Sequence, residues 1–252
     1  MSTNKELDGK VALVTGGARN IGRAISRALA HAGAAVMVNA NTSRADAEQT
    51  VSMIEGEGGR AAVHIADVTD GKAVKAMIDA TVKKFGRIDV LVNNAAVRAE
   101  TPFADMTLEE WRRVIATVLD GAFLCTQACL PHIARAGGGA VVNIGGMTAH
   151  KGAEGRAHVI AAKSGLAGMT RALALDLAPQ GITVNCVVPG LIETVRGLPG
   201  APERPEHRRG LPPVGRRGEP DEIAAVVRLL CGPDSRYITG QAIHVNGGAY
   251  MP

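Results

Sequence analysis

Aromatic side chains are nearly absent from this chain: its 252 residues include one tryptophan, two tyrosines and three phenylalanines. A surface that stacks on bases interleaves aromatics with basic residues, so nucleic-acid binding has no platform here. The net charge of +4 is mild, and it is placed unevenly. Residues 191–218 hold Arg196, Arg204, Arg208, Arg209, Arg216 and Arg217 against Glu193, Glu203 and Glu206, which accounts for most of the excess. Cys125, Cys129, Cys186 and Cys231 form neither a CxxC pair nor a Cys/His group with metal-ligand spacing. Reduced, buried thiols in a cytoplasmic protein with no metal site are therefore expected. The opening residues MSTNKELDGK have no apolar stretch, and the most apolar later run, residues 157–178, is interrupted by Lys163, Arg171 and Asp176. Neither an export signal nor a membrane span is expected.

Glycine is plentiful, with 31 residues, and its placement is informative in KVALVTGGARNIGRAISRALAHAG, residues 10–33. Val11 to Val14 read as a buried strand. Ile21, Ala24, Ile25, Ala28 and Leu29 then recur at helical spacing and predict a helix that begins near Asn20. The turn between them carries Gly16, Gly17 and Gly22, which keep side chains away from a helix start whose unpaired N–H groups and dipole favour an anion. At the first strand-to-helix junction this pattern favours nucleotide binding over an ordinary tight turn.

Further strand-like runs are AAVMVN (34–39), AAVHIA (61–66), IDVLVN (88–93), AVVNIG (140–145), ITVNCVV (182–188) and AIHV (242–245), with helical patterns between them. Their alternation predicts an α/β fold: a single-domain, doubly wound, Rossmann-like parallel sheet with helices on both faces, spanning 1–252. Proline and arginine crowd residues 191–218, which read as a loop over the C-terminal ends of the strands. A helix start at Glu219, Pro220, Asp221 and Glu222 closes that loop.

TGGARNIG (15–22), NNAA (93–96), the pair Pro189–Gly190 and ITGQAIHVNGG (238–248) occur in this order, and with them the chain resembles the short-chain dehydrogenase/reductase family over nearly its whole length. Asn20 stands where the family turn has glycine; asparagine is the non-glycine residue most at ease with positive φ. The resemblance implies a dinucleotide held by Gly16, Arg19, Asn20, Ile21, Gly22, Asn41, Ser43, Asp67, Val68, Asn93, Ala95, Lys163, Pro189, Gly190 and Ile192. It also implies a catalytic serine, tyrosine, lysine and asparagine. Only the lysine is found, as Lys163. By the same alignment the tyrosine position is Val159, the serine position Gly146 and the asparagine position Val118.

Hydride transfer requires the cofactor to be positioned, whereas protonation requires an acid of suitable pKa, and the two parts separate here. The first is retained and the second is not. His150, in the loop after the fifth strand, and Lys163 are the candidate catalytic residues; Thr148 offers only a hydroxyl. A loop histidine otherwise serves a surface or structural role, and His158, one residue from Val159, is rotated by ~100° and expected to face away from Lys163. Between Val38 and Asp46 no acid is present to select a ribose 2′-hydroxyl, and Arg19 lies in the glycine turn, so NADP(H) is favoured over NAD(H).

Two function classes follow. One is an NADP-dependent oxidoreductase acting on a small carbonyl, imine or activated alkene. The other is an NADP(H)-binding protein without redox turnover, a sensor or a non-catalytic partner. Asn93, Lys163, Pro189 and Gly190 favour the first, because a sensor needs only the adenine half. A cofactor-free lyase is disfavoured by the intact glycine turn. The arginines of 191–218 could close over an anionic substrate. The long helices near 108–133 and 156–178 resemble the family's interface and imply a homotetramer or dimer.

Overall fold

The computed structural model describes residues 5–194 and 210–252. Seven parallel strands, β1 (Val11–Val14), β2 (Ala35–Ala40), β3 (Arg60–Ile65), β4 (Val90–Asn93), β5 (Gly139–Ile144), β6 (Ile182–Pro189) and β7 (Ala242–Val245), pair in the order β3-β2-β1-β4-β5-β6-β7. Strands β1, β2, β4, β5 and β6 are buried on both faces, which is why they read as largely apolar runs, whereas the edge strands β3 and β7 are only partly buried. Side chains alternate across the sheet. Ala12, Val14, Val36 and Val187 pack with helices α1 (Asn20–His31), α2 (Arg44–Gly56) and α8 (Pro220–Cys231). Leu13, Met37, Val141 and Val184 pack on the other face with α3 (Gly71–Phe85), α5 (Gly121–Arg135) and α7 (Ala157–Leu177). The order reverses between β1 and β4, and a crevice opens where the chain leaves those two strands in opposite directions.

Helix starts follow sequence signals. Asp70 caps α3 by accepting from Lys72 N at 2.8 Å, and Glu219 with Glu222 forms a capping box on α8. Asp67 is too early to cap α3; its carboxylate accepts instead from Thr69 N and Thr69 Oγ1, at 2.9 and 2.8 Å. Helix α4 (Leu108–Ile115) continues through a π-helical turn, Ala116–Asp120, into α5. By length and composition Leu108–Arg135 could cross a membrane. It does not stand alone, however: Val114 and Val118 pack against Ala162 and Leu166 of α7, and Cys125, Cys129 and Ile133 lie in the core under the sheet. The short helix α6 (Thr148–Lys151) links β5 to α7.

One buried carboxylate ties the N-terminal end of the sheet together. Asp89 is 1% exposed and accepts from Val11 N at 3.0 Å, Lys10 Nζ at 3.0 Å, and Arg87 Nε and Nη2 at 2.8 and 2.6 Å. Asp89→Asn keeps the shape and removes the charge, and both cations have access to water. A loss of about 1.5–3 kcal/mol is expected in urea unfolding, the range for hydrogen bonds to a charged group. A loss within 0.5 kcal/mol or so, as at an ordinary surface site, would contradict this role.

Candidate active site

The turn after β1 is held from beneath by polar side chains. Asn94 Nδ2 donates to Thr15 O and Gly16 O at 3.0 and 2.9 Å, and Thr15 Oγ1 accepts from Asn94 N and Ala95 N at 3.0 and 3.1 Å. From β2, buried Asn39 accepts from Gly16 N through Oδ1 and donates to Ala66 O at 3.0 Å. These bonds fix the two strand ends on either side of the crevice. Asn20 has φ +49°, the one non-glycine residue with positive φ among the described residues, as its asparagine side chain predicts. A Cβ on Gly22 would lie 2.1 Å from Gly16 O, so helix and turn touch backbone to backbone. Arg19 occupies the N-cap of α1 without capping it, and no acid lies in the first turn. An anion could approach those N–H groups, so the turn fits a phosphate.

Around this turn Arg19 Nη2 donates to Ser43 Oγ at 2.7 Å, and Arg19 Nε lies 3.4 Å from Asp46. Folding thus brings to Arg19 the acid that follows the acid-free stretch, as an exposed ion pair worth little on its own. Asn41 Nδ2 reaches Asp67 at 3.4 Å. Val68 is buried against Gly121, where a Cβ would come within 2.7 Å of Val68 Cγ2. Ile21, in the first turn of α1, packs on the core.

On the other side of the crevice Lys163 is buried on α7, and its Nζ donates to Ile144 O at the end of β5. Burial pushes its pKa down to about 8; Cys186 opposes that shift and Arg98 adds to it. Burial also pushes the Cys186 thiol up to about 11, with Lys163 pulling the other way. Gly146 follows two residues after Ile144, and a Cβ there would meet nothing within 4 Å. Val159, one turn before Lys163, packs with Val114 and Val118. Asn93 spends its amide on Thr126 Oγ1 and Asn143 Oδ1, at 3.1 and 2.9 Å, inside the core. Its Oδ1 is buried and unpartnered. Pro189 O accepts from Met147 N at 3.0 Å, Gly190 fits closely against Asn246, and Ile192 is buried beside Gly218.

The two histidines have other side-chain partners. His150 stacks edge-on against His244, ring centroids 4.6 Å apart, with Tyr250 at 5.7 Å. His158 is fully buried, and its Nε2 stands 3.4 Å from Glu110 Oε1 of α4. Arg216 and Arg217 pair with Glu222 and Glu193, so these two are already matched by acids. Arg196, Arg204, Arg208 and Arg209 lie outside the described residues.

Residues 16–250 match the family described as Enoyl-(Acyl carrier protein) reductase. A short-chain dehydrogenase from Burkholderia cenocepacia, solved in complex with NADP, superposes with a TM-score of 0.90 at 35% identity, covering 97% of this chain and 99% of that one. The chain belongs to the short-chain dehydrogenase/reductase family. Among curated relatives, the 3-oxoacyl-(acyl-carrier-protein) reductase FabG of Staphylococcus aureus is 41% identical over 96% of this chain and 98% of its own. The FabG of Vibrio cholerae is 39% identical over 97% and 99%.

In this short-chain dehydrogenase/reductase Thr15, Asn39 and Asn94 hold the turn, a role that the glycine motif alone does not assign them. A signal was available: Asn39 is a polar residue closing an apolar strand, and a buried amide must find partners. Tyr250, far from Lys163 along the chain, is brought to His150 by β7.

Proposed function

We propose that this chain is an NADP(H)-dependent oxidoreductase that reduces a small carbonyl, imine or activated alkene without the serine and tyrosine of its family. Gly146, Val159 and Val118 stand at the positions of the family's serine, tyrosine and asparagine. The observation that carries the reading is Lys163. An ammonium buried beside valines needs a reason to be inside, and a cofactor ribose hydroxyl supplies one that a solvated helix face does not. The glycine turn and the start of α1 would hold the pyrophosphate, Asp67 and Val68 the adenine, Arg19, Asn41 and Ser43 the 2′-phosphate, and Ala95, Lys163, Pro189, Gly190 and Ile192 the nicotinamide half, with Asn93 set behind them by its bonds to Thr126 and Asn143. Bound there, NADPH supplies a hydride. The residues around it bind, exclude water and hold a proton.

Four buried free thiols support a reducing, cytoplasmic setting. Exposed Leu108 and Phe123 along α4 and α5, and Leu175 on α7, support association into a dimer or tetramer. Titration with NADPH and NADH, then NADPH oxidation over a panel of carbonyls, imines and activated alkenes, tests the reading. Cofactor binding with no turnover on the whole panel would replace it by a sensor or non-catalytic partner.

Arg19→Ala is expected to weaken NADPH by about 1–3 kcal/mol through loss of a charge-assisted bond to the 2′-phosphate, and to leave NADH nearly unchanged. Asp46 beside Arg19 sets the value towards the lower end, because the phosphate must compete with it. Equal losses for both cofactors would overturn the assignment.

A further inference from the structure

We propose that the ammonium of Lys163 is itself the proton donor of this site, delivering its proton to the substrate atom on which negative charge develops in the space beside Gly146. The inference rests on the reductase reading above and names the acid which that reading leaves open. Four observations carry it. Nζ makes one hydrogen bond among the described residues, to Ile144 O, so two of its three N–H groups are unspent. That carbonyl lies two residues before Gly146, where no side chain fills the space and nothing lies within 4 Å of a Cβ position. Val159, one turn earlier on α7, has no proton to give.

The fourth observation is that both histidines are engaged with other side chains. His150 is packed against His244 and Tyr250, and His158 is enclosed against Glu110. Among the described residues, the titratable groups that act electrostatically on Lys163 are Cys186 from β6 and Arg98 from the loop after β4. A guanidinium is too weak an acid to serve, and the Cys186 thiol is a poorer acid than the lysine, at about 11. Burial brings Lys163 down to about 8, close to where a general acid is most effective.

The step balances simply. As the substrate carbon gains a hydride equivalent, the C=O π pair moves to oxygen, an N–H bond of Lys163 breaks and an O–H bond forms. The neutral amine is then reprotonated by water. An iminium cation needs no such proton, because the hydride alone converts it to a neutral amine.

Cyclopentanone and an N-methyl pyrrolinium cation of similar size, assayed with the full chain at saturating NADPH, therefore separate the two roles of Lys163. In Lys163→Met the ratio of ketone to iminium rates, in which any lost cofactor affinity cancels, should drop by about 10²–10⁴. Lys163→Arg, which keeps a cation too basic to donate, should give the same drop, and iminium turnover in either variant reports that the protein is folded. In the parent the ketone rate should fall as pH rises through about 8, while the iminium rate stays level. The Cε resonance of carbon-13-labelled lysine in the cofactor-free protein, assigned by its absence from Lys163→Arg, should titrate in the same range.

An unchanged ratio in both variants, a Lys163 titration at the ~10.4 of a free lysine, or a ratio that falls in His150→Ala instead would overturn the assignment. A parent that reduces the iminium but no ketone would overturn it as well and leave the reductase reading standing. A parent that binds NADPH and reduces neither probe would remove both.

Discussion

Gly146→Ser combined with Val159→Tyr is expected to raise ketone reduction above the parent, because a phenol beside Lys163 adds a second positioned acid to the one the lysine supplies. The serine is accommodated at once, since a Cβ on Gly146 meets nothing within 4 Å. The tyrosine is the harder half. Val159 packs with Val114 and Val118, so a ring must enter between α7 and the π-helical turn or project into the crevice beside Gly146. One helical turn from Lys163, the phenol would lie next to an ammonium, which favours the phenolate and lowers the phenol pKa towards the working range. Val159→Tyr alone should recover part of the gain and Gly146→Ser alone little, because a serine hydroxyl polarises a carbonyl without protonating it. The pH profile should change as well, with the alkaline limb of the double variant reporting the phenol and lysine as a coupled pair. Stopped-flow NADPH oxidation with cyclopentanone checks all of this. A folded, NADPH-binding double variant no faster than the parent would mean that Val159 and Gly146 do not occupy the tyrosine and serine positions.

Much of the local geometry around the first turn was legible in the sequence, and the reason differs from residue to residue. The turn at Gly16 to Gly22 could be read because its requirements are local: a strand end, a helix start and backbone conformations that admit glycine or asparagine. Asn20 at φ +49° is the clearest case. The inner strands were read because burial on both faces favours apolar residues at most positions, and the boundaries shifted by only one or two residues, as between 34–39 and Ala35–Ala40. The charge partners were not legible. Asp46 meets Arg19 and Glu222 meets Arg216 through chain reversals that no spacing encodes. His150 belongs to the same class. Its nearest rings come from β7 and the residues after it, some ninety positions later in the sequence, and only the sheet order places them together.

Gly22→Ala is expected to abolish measurable NADPH binding and to lower stability by about 3 kcal/mol or more, the upper end for overpacking. A methyl group there would lie 2.1 Å from Gly16 O and 2.7 Å from Asn94 Nδ2, and neither can give way cheaply. Gly16 O accepts from Asn94 Nδ2, and Thr15 next to it is bound to Asn94 N and Ala95 N. Relief therefore requires α1 to move off the turn, which withdraws the N–H groups that would meet a phosphate. The proper comparison is Gly168→Ala, in α7, where a Cβ meets nothing within 4 Å. That change removes a helix-weakening glycine and should stabilise by about 0.5–1 kcal/mol while NADPH binding stays as in the parent. Opposite signs in thermal unfolding for the same chemical change, together with loss of binding in only one variant, would show that the backbone contact between turn and helix is what makes the phosphate site. If Gly22→Ala bound NADPH as the parent does, the pyrophosphate could not rest on the start of α1.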